Sequence, residues 1–160
     1  MNAHDPRASV SAERQAARNE PRALRGDALL DVLVAACRER RGEDMVSLDV
    51  RPLVEYMDHL LLVTGRSRRQ NQAIARHVIT RLKREYGIQP LSRSGMEEGT
   101  WICLDYVDVV LHLFDAATRA HYDLELLWAD AARTEHAPAG PGEVLPDDPE
   151  PLDDTEGFLH

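Results

Sequence analysis

Cysteine, lysine and long apolar runs are all scarce in this sequence, and each shortage excludes something. The cysteines are Cys37 and Cys103, each in an apolar setting. Two such thiols make no disulfide framework; they read as small core hydrophobes in a reducing cytoplasm. No run of about eighteen apolar residues occurs, so no membrane-spanning helix is expected. The N-terminal stretch carries arginine but no apolar segment after it, and does not read as a secretory signal. Lys83 is the lone lysine among nineteen Lys and Arg residues. A glycine-rich phosphate loop is also missing, because Thr64-Gly65-Arg66-Ser67 has one glycine and no lysine where such a loop needs it. The histidines at 59, 77, 112 and 121 show no His-x-x-x-His spacing, which argues against zinc. Ser94 has no base beside it. Cys103, in an apolar strand, should have a raised pKa unsuited to nucleophilic work. No cofactor, no metal and no catalytic group are expected.

The charge that is present is unevenly placed. Residues 135–160 hold eight carboxylates and no Lys or Arg. Removing those eight charges from the formal net charge of −9 leaves about −1 for everything before them. The expected folded part is nearly neutral and lacks the broad positive field of a phosphate-backbone binder. Direct nucleic-acid binding is therefore not expected as its main contact.

Residues 1–23 are polar with little periodicity and read as a flexible N-terminal arm. A helix is expected from Asp27, as its cap, to Arg41, with Gly42 just beyond it. Met45 to Val50 reads as a strand that Pro52 stops. His59 to Thr64 is a continuous apolar run and reads as a central strand buried on both faces. Ser67 with Gln70 fits a capping box for a helix running to Tyr86, which Gly87 ends. Arg66, Arg68 and Arg69 at its start read first as a solvated cluster, because positive charge there opposes the helix dipole, with contact to an acidic or phosphate group as the alternative. Gln89 to Arg93 is a short strand candidate. Asp115 should cap a last helix over 116–131. From His136 the chain turns to Pro, Gly and acid, and 133–160 reads as a disordered acidic tail. The domain is thus expected over 24–132. Its class is α/β, with a mixed sheet of about five strands and helices packed on it.

The most informative stretch is Trp101-Ile-Cys-Leu-Asp-Tyr-Val-Asp-Val-Val-Leu-His112, which reads as a β-hairpin. Tyr106-Val107 would be its loop, placing Asp105 opposite Asp108, Trp101 opposite His112 and Cys103 opposite Val110. Ile102, Leu104, Val109, Leu111 and Leu113 then share one wholly apolar face. The other face mixes Trp101, Asp105, Asp108 and His112. Asp105 and Asp108 lack the further ligands a divalent cation requires and read as turn residues. Large aromatics such as Trp101 and Tyr122 serve equally as core or as interface anchors, and residue physics alone leaves that choice open.

Four stretches, taken together, go further. Leu48-Asp-Val50, Tyr56-Met-Asp58 through Gln70, the hairpin to Phe114, and Tyr122-Asp-Leu-Glu-x-Leu-Trp128 occur in an order and spacing that resemble the ribosomal silencing factor (Iojap) family. The resemblance implies a nucleotidyltransferase-like fold without catalysis. It implies a translational repressor that binds the fourteenth protein of the large ribosomal subunit and blocks joining of the small subunit under nutrient limitation. It also implies a possible homodimer. By position, Trp101 and Tyr122 match the family's contact aromatics. Asp105, Asp108 and His112 match its Asp-Tyr-Gly-Asp and following His, and are assigned to the rim or to orienting the hairpin. Val107 stands where the family has Gly, so the turn must differ or carry strain. The alternatives are a nucleotide-binding enzyme on the related fold, whose Gly-Ser and paired acids this chain does not present, and an assembly module without ribosome contact.

Overall fold

The central strand is the run His59–Thr64, buried along its whole length. A computed structural model describes residues 6–146. In chain order they form α1 (Pro6–Asn19), α2 (Gly26–Glu39), β1 (Glu43–Asp49), β2 (His59–Thr64), α3 (Arg68–Tyr86) and β3 (Ser92–Ser94). They continue as β4 (Trp101–Asp105), β5 (Val109–Phe114), α4 (Ala116–Tyr122), α5 (Leu124–Leu127) and β6 (Ala132–His136). The strands make one six-stranded sheet in the order β3-β4-β5-β2-β1-β6. Its one parallel pair, β2 with β5, lies at the centre, and every other pair is antiparallel. A parallel pair needs a long crossover and covered faces, which explains why β2 is buried throughout and apolar from Leu60 to Val63. The sheet has one strand more than the sequence suggested, because β6 has no apolar alternation to announce it.

Both faces are covered, but unequally. On one face α2 and α3 seal a core of Leu33, Leu61, Val63, Ile74, Val78, Ile102, Leu104, Leu111 and Leu113, all fully buried. The apolar hairpin face lies in this core as its alternation indicated. On the other face Val46, Leu48, Leu60, Leu62 and Phe114 form a second cluster, with Trp101, Leu124, Trp128 and Ala131 packed over it, partly exposed. The short segment around α5 therefore forms a thin cover there instead of a full helical layer.

Local caps explain where elements stop. Ser67 Oγ accepts from Gln70 N at 3.0 Å, and Gln70 Oε1 accepts from the Arg66 amide. Gly87 closes α3 in the left-handed region at φ 68°. At the start of α2 the expectation fails: Arg25 is the cap residue, and its side chain makes no capping bond. Asp27 instead accepts from His59 Nε2 at 2.8 Å. Residues 116–131 do not form one helix either. Asp123 sits at φ 45°, ends α4 and begins α5, where its own side chain accepts from Leu126 N. Asp tolerates that conformation better than most residues.

Two parts expected to be irregular are ordered. Pro6–Asn19 is helical, where an unstructured arm was expected, and arginines from it and the segment after it reach the hairpin. Beyond β6, Arg41 donates to the carbonyl of Glu143 at 2.5 Å and Arg38 to its carboxylate at 2.8 Å. Residues 147–160, the second half of the expected acidic tail, lie outside the described residues.

Candidate functional site

The hairpin has two ends with opposite chemistry. Its register differs from the expected one by two residues: Trp101 pairs with Phe114, Cys103 with His112 and Asp105 with Val110. A slip of two preserves faces, since side chains alternate with period two, so the apolar and mixed faces stand as read from sequence. The reason for the slip is the turn. Asp108 leaves the ladder, and its amide donates to Tyr106 O at 2.9 Å. That three-residue closure, with Val107 at φ 75°, is a γ-turn of the strained kind. Val107 thus carries the strain expected of a β-branched residue in a glycine position.

The tip is highly charged yet closed. Asp108 is 3 % exposed. It accepts from Arg18 at 2.8 Å, Arg22 at 3.1 Å and the Gly26 amide at 2.9 Å. Asp105 accepts from Arg14 and from Val107 N. Arg14, itself buried, also donates to Val107 O at 2.6 Å and Tyr56 O at 3.1 Å. Charge-assisted bonds of this kind are short and directional. Asp105 and Asp108 are therefore internal anchors, held by arginines of α1 and the following turn, and neither stands at an open rim. Sequence reasoning missed these arginines because it sought apolar periodicity. The visible signal was their spacing, Arg14-x-x-x-Arg18-x-x-x-Arg22, one per helical turn.

The root is aromatic and open. Trp101 stacks on Phe114 at 5.3 Å between ring centroids and meets Tyr122 at 4.7 Å. Its Nε1 donates to His112 Nδ1 at 3.0 Å. That bond leaves the proton of neutral His112 on Nε2. Burial pushes the His112 pKa down to about 4, so the ring stays neutral and keeps accepting. The backbone leading into Trp101 is fastened by α3: Asn71 Nδ2 donates to Gly99 O and Gln72 Nε2 to Met96 O, both at 2.9 Å. Gly95 cannot be replaced cheaply, because a Cβ there would meet the Trp101 carbonyl oxygen at 2.0 Å. Beyond Trp101 the surface continues with Tyr122, Leu126 and Leu127, which are 53 %, 71 % and 72 % exposed. The break at Asp123 produces this. Leu124 packs inward while Leu126 and Leu127 stay exposed, and Arg119 and Arg133 hold Glu125 between them.

Of the five expected site residues, the structure brings together Trp101, His112 and Tyr122. It sets Asp105 and Asp108 at the far end of the strands, about 14 Å away at 3.4 Å per residue. Leu126 and Leu127, exposed on the short segment that follows Tyr122, were missed, because one continuous helix was expected there. Cys103 is pushed up to about 11 by burial and Cys37 higher still, which removes both as nucleophiles at neutral pH. Among the described residues no group of three or more His, Cys, Asp or Glu side chains could hold a metal ion. None of the described helices is long and apolar enough to cross a membrane.

Known proteins show the same arrangement of sequence. Residues 23–155 match the family described as "Ribosomal silencing factor during starvation". A Bacillus subtilis protein named ribosomal silencing factor RsfS is 39 % identical over 103 residues, which is 64 % of this chain and 86 % of that protein. The mouse "Mitochondrial assembly of ribosomal large subunit protein 1" is 27 % identical over 121 residues, covering 74 % of this chain and 53 % of its own length. Among solved structures, a Chromobacterium violaceum protein superposes with a TM-score of 0.63 at 27 % identity, over 80 % of this chain and 98 % of that one. A Bacillus halodurans protein gives 0.59 at 33 % identity, over 68 % and 97 %. The family match begins after α1, so the tip acids lie within the family region and all three arginines that hold them precede it. On this match and these relatives, the chain belongs to the ribosomal silencing factor family.

Proposed function

We propose that the chain is a translational repressor. It binds the large ribosomal subunit through that subunit's fourteenth protein, and its bulk on the intersubunit face sterically blocks joining of the small subunit when nutrients are limiting. The observation that carries this reading is the exposed root of the hairpin. Trp101 and Tyr122 stand in contact, with Leu126 and Leu127 exposed on the same short segment. Large aromatic side chains that reach the surface beside exposed leucines are the usual anchors of a protein–protein interface. The names of the relatives support the direction, since one is a silencing factor and another is named for assembly of a ribosomal large subunit. The mechanism needs no covalent step. Self-association of the free chain belongs to the same reading.

The test is binding of the purified chain to isolated large subunits, with Trp101→Ala and Tyr122→Ala beside the wild type. The titration is run at several protein concentrations so that self-association is seen. Tight wild-type binding, lost in both variants while each still unfolds cooperatively in urea, supports the proposal. Absence of wild-type binding at micromolar concentration removes it. Unfolding of Trp101→Ala alone reassigns Trp101 to the core and leaves Tyr122 as the anchor under test.

A further inference from the structure

The outward face of α3 carries more positive charge than anything in the described structure neutralises. Arg69, Arg76 and Lys83 recur every seven residues, so at 100° per residue they form one row. The buried positions Ile74, Val78 and Leu82 lie on the opposite side of the helix, against the sheet. Arg68 and Arg84 flank the row, and all five cations are exposed. Among the described residues none of the five has an ion-pair or hydrogen-bond partner. By contrast Arg81, on the side facing α2, is held by Glu39 and Glu85, and Arg66 by Glu43. Glu97 and Glu98, on the loop beside the first turn of α3, make no ion pair with the row. The row sets like charges about two turns apart on a face where an anion is attracted by several of them at once.

The chain supplies such an anion. Residues 147–160 contain Asp147, Asp148, Glu150, Asp153, Asp154 and Glu156, with no Lys or Arg. The described chain ends close to the start of α3. Glu143 is fixed to Arg38 and Arg41, and Gln70, in the first turn of α3, donates to the Arg40 carbonyl at 3.2 Å and the Arg41 carbonyl at 3.4 Å. Only residues 144–146 separate that anchor from the first acid. The ten residues 147–156 reach about 33 Å when extended, whereas the row from Arg69 to Lys83 is about 21 Å long. Reach, starting point and charge all agree.

We propose that the acidic segment 147–156 docks along the Arg69–Arg76–Lys83 row of α3, occupying by an intramolecular contact the face that would otherwise attract phosphate backbones. This goes beyond the repressor reading and does not depend on it. It gives the acidic segment a defined partner and explains how a basic helix fits a domain whose proposed target is a protein. Because the segment is tethered, its effective concentration at the row is in the millimolar range.

The test uses the full-length chain with Cys103→Ser and Gly157→Cys, carrying a nitroxide at the introduced thiol; Cys37 is fully buried and stays unlabelled. Amide signals of Arg69, Arg76 and Lys83 should broaden at low salt. They should recover near 1 M salt, where the Debye length is about 3 Å. In the full-length variant Arg69→Glu/Arg76→Glu/Lys83→Glu, broadening on the exposed face of α3 should vanish while the chain remains folded. Polyuridylate, added as a competing polyanion, should restore the signals only at concentrations that displace the segment. Broadening that is absent, evenly spread over the domain, or retained in the charge-reversed variant overturns the proposal. So does polyuridylate binding at the row with no change in the label's effect, which would assign the face to nucleic acid.

Discussion

The two ends of the β4–β5 hairpin reverse the ordinary expectation about which residues face water. At the tip, two aspartates and three arginines are largely withdrawn from solvent and bonded to one another. At the root, a tryptophan, a tyrosine and two leucines are left partly or mostly exposed. Buried ion pairs rarely add much net stability, but removing one partner is costly because the other stays buried and unpaired. Exposed aromatics add little to folding and much to association. The comparison therefore assigns stability to the charged end and recognition to the apolar end, and each substitution below strains that division.

The largest effect should come at the tip. Asp108→Ala removes the Asp108 acceptor from Arg18, Arg22 and the Gly26 amide, leaving Arg18 only Asp58 and Arg22 only the Arg18 carbonyl, each at 3.3 Å, and should cost about 3 kcal/mol of unfolding free energy, read from urea denaturation. The folded fraction should still bind large subunits like the wild type. A stable Asp108→Ala protein with weakened binding would reverse the assignment and make the tip part of the interface.

Next comes acid sensitivity at the root. The folded pKa of His112 is about 4, below the ordinary value of 6.5, because burial disfavours the charged ring. Between those values the unfolded chain binds the proton and the folded one does not. Stability from this group is complete above pH 6.5 and is lost as pH falls toward 4. At pH 5 the loss should be about 2 kcal/mol. His77 and His136, also pushed down by burial, act in the same direction, so the measurement is the difference between wild type and His112→Phe. Equal pH slopes in the two proteins would show that His112 is not the group responsible.

Tyr122→Ala tests the other half of the division. More than half of Tyr122 faces solvent, so its loss should change stability by no more than about 1 kcal/mol. Large-subunit affinity should fall by about thirtyfold, as expected for an interface anchor worth about 2 kcal/mol. A large stability loss with unchanged affinity would return Tyr122 to the core.

What could be read from sequence follows from which interactions are periodic. The hairpin faces, the central strand His59–Thr64 and the Ser67 cap of α3 were legible because burial and capping leave fixed spacings. The hairpin register was not, because it depends on whether Asp108 pairs or turns, and that is decided by Arg18, Arg22 and Gly26, at least 82 residues away in the chain. Helix α1 was missed for the same reason: what fastens it is a row of arginines whose acceptors lie across the fold. Strand β6 is an exposed edge recognised only by its backbone pairing to β1. Among the candidate site residues, type alone singled out Trp101 and Tyr122. Leu126 and Leu127 became visible only through the Asp123 break, a backbone event with no periodic signature.

The smallest effect is the most discriminating for the tip. Val107 sits at φ 75° and is 6 % exposed. A residue held in such a region costs about 1–3 kcal/mol of strain. Val107→Gly removes that strain, but gives up a buried side chain worth about 1.5 kcal/mol and adds about 0.5–1 kcal/mol of unfolded-state entropy. The three contributions nearly cancel, so the net change should stay within about 1 kcal/mol. Val107→Ala loses most of the same burial and keeps a Cβ at positive φ, so it should be the less stable of the two. Urea denaturation of the pair settles the order. If Ala is the more stable variant, the turn is not strained, and the hold of Arg14 on the Val107 carbonyl would be the consequence of a relaxed turn rather than the force that maintains a strained one.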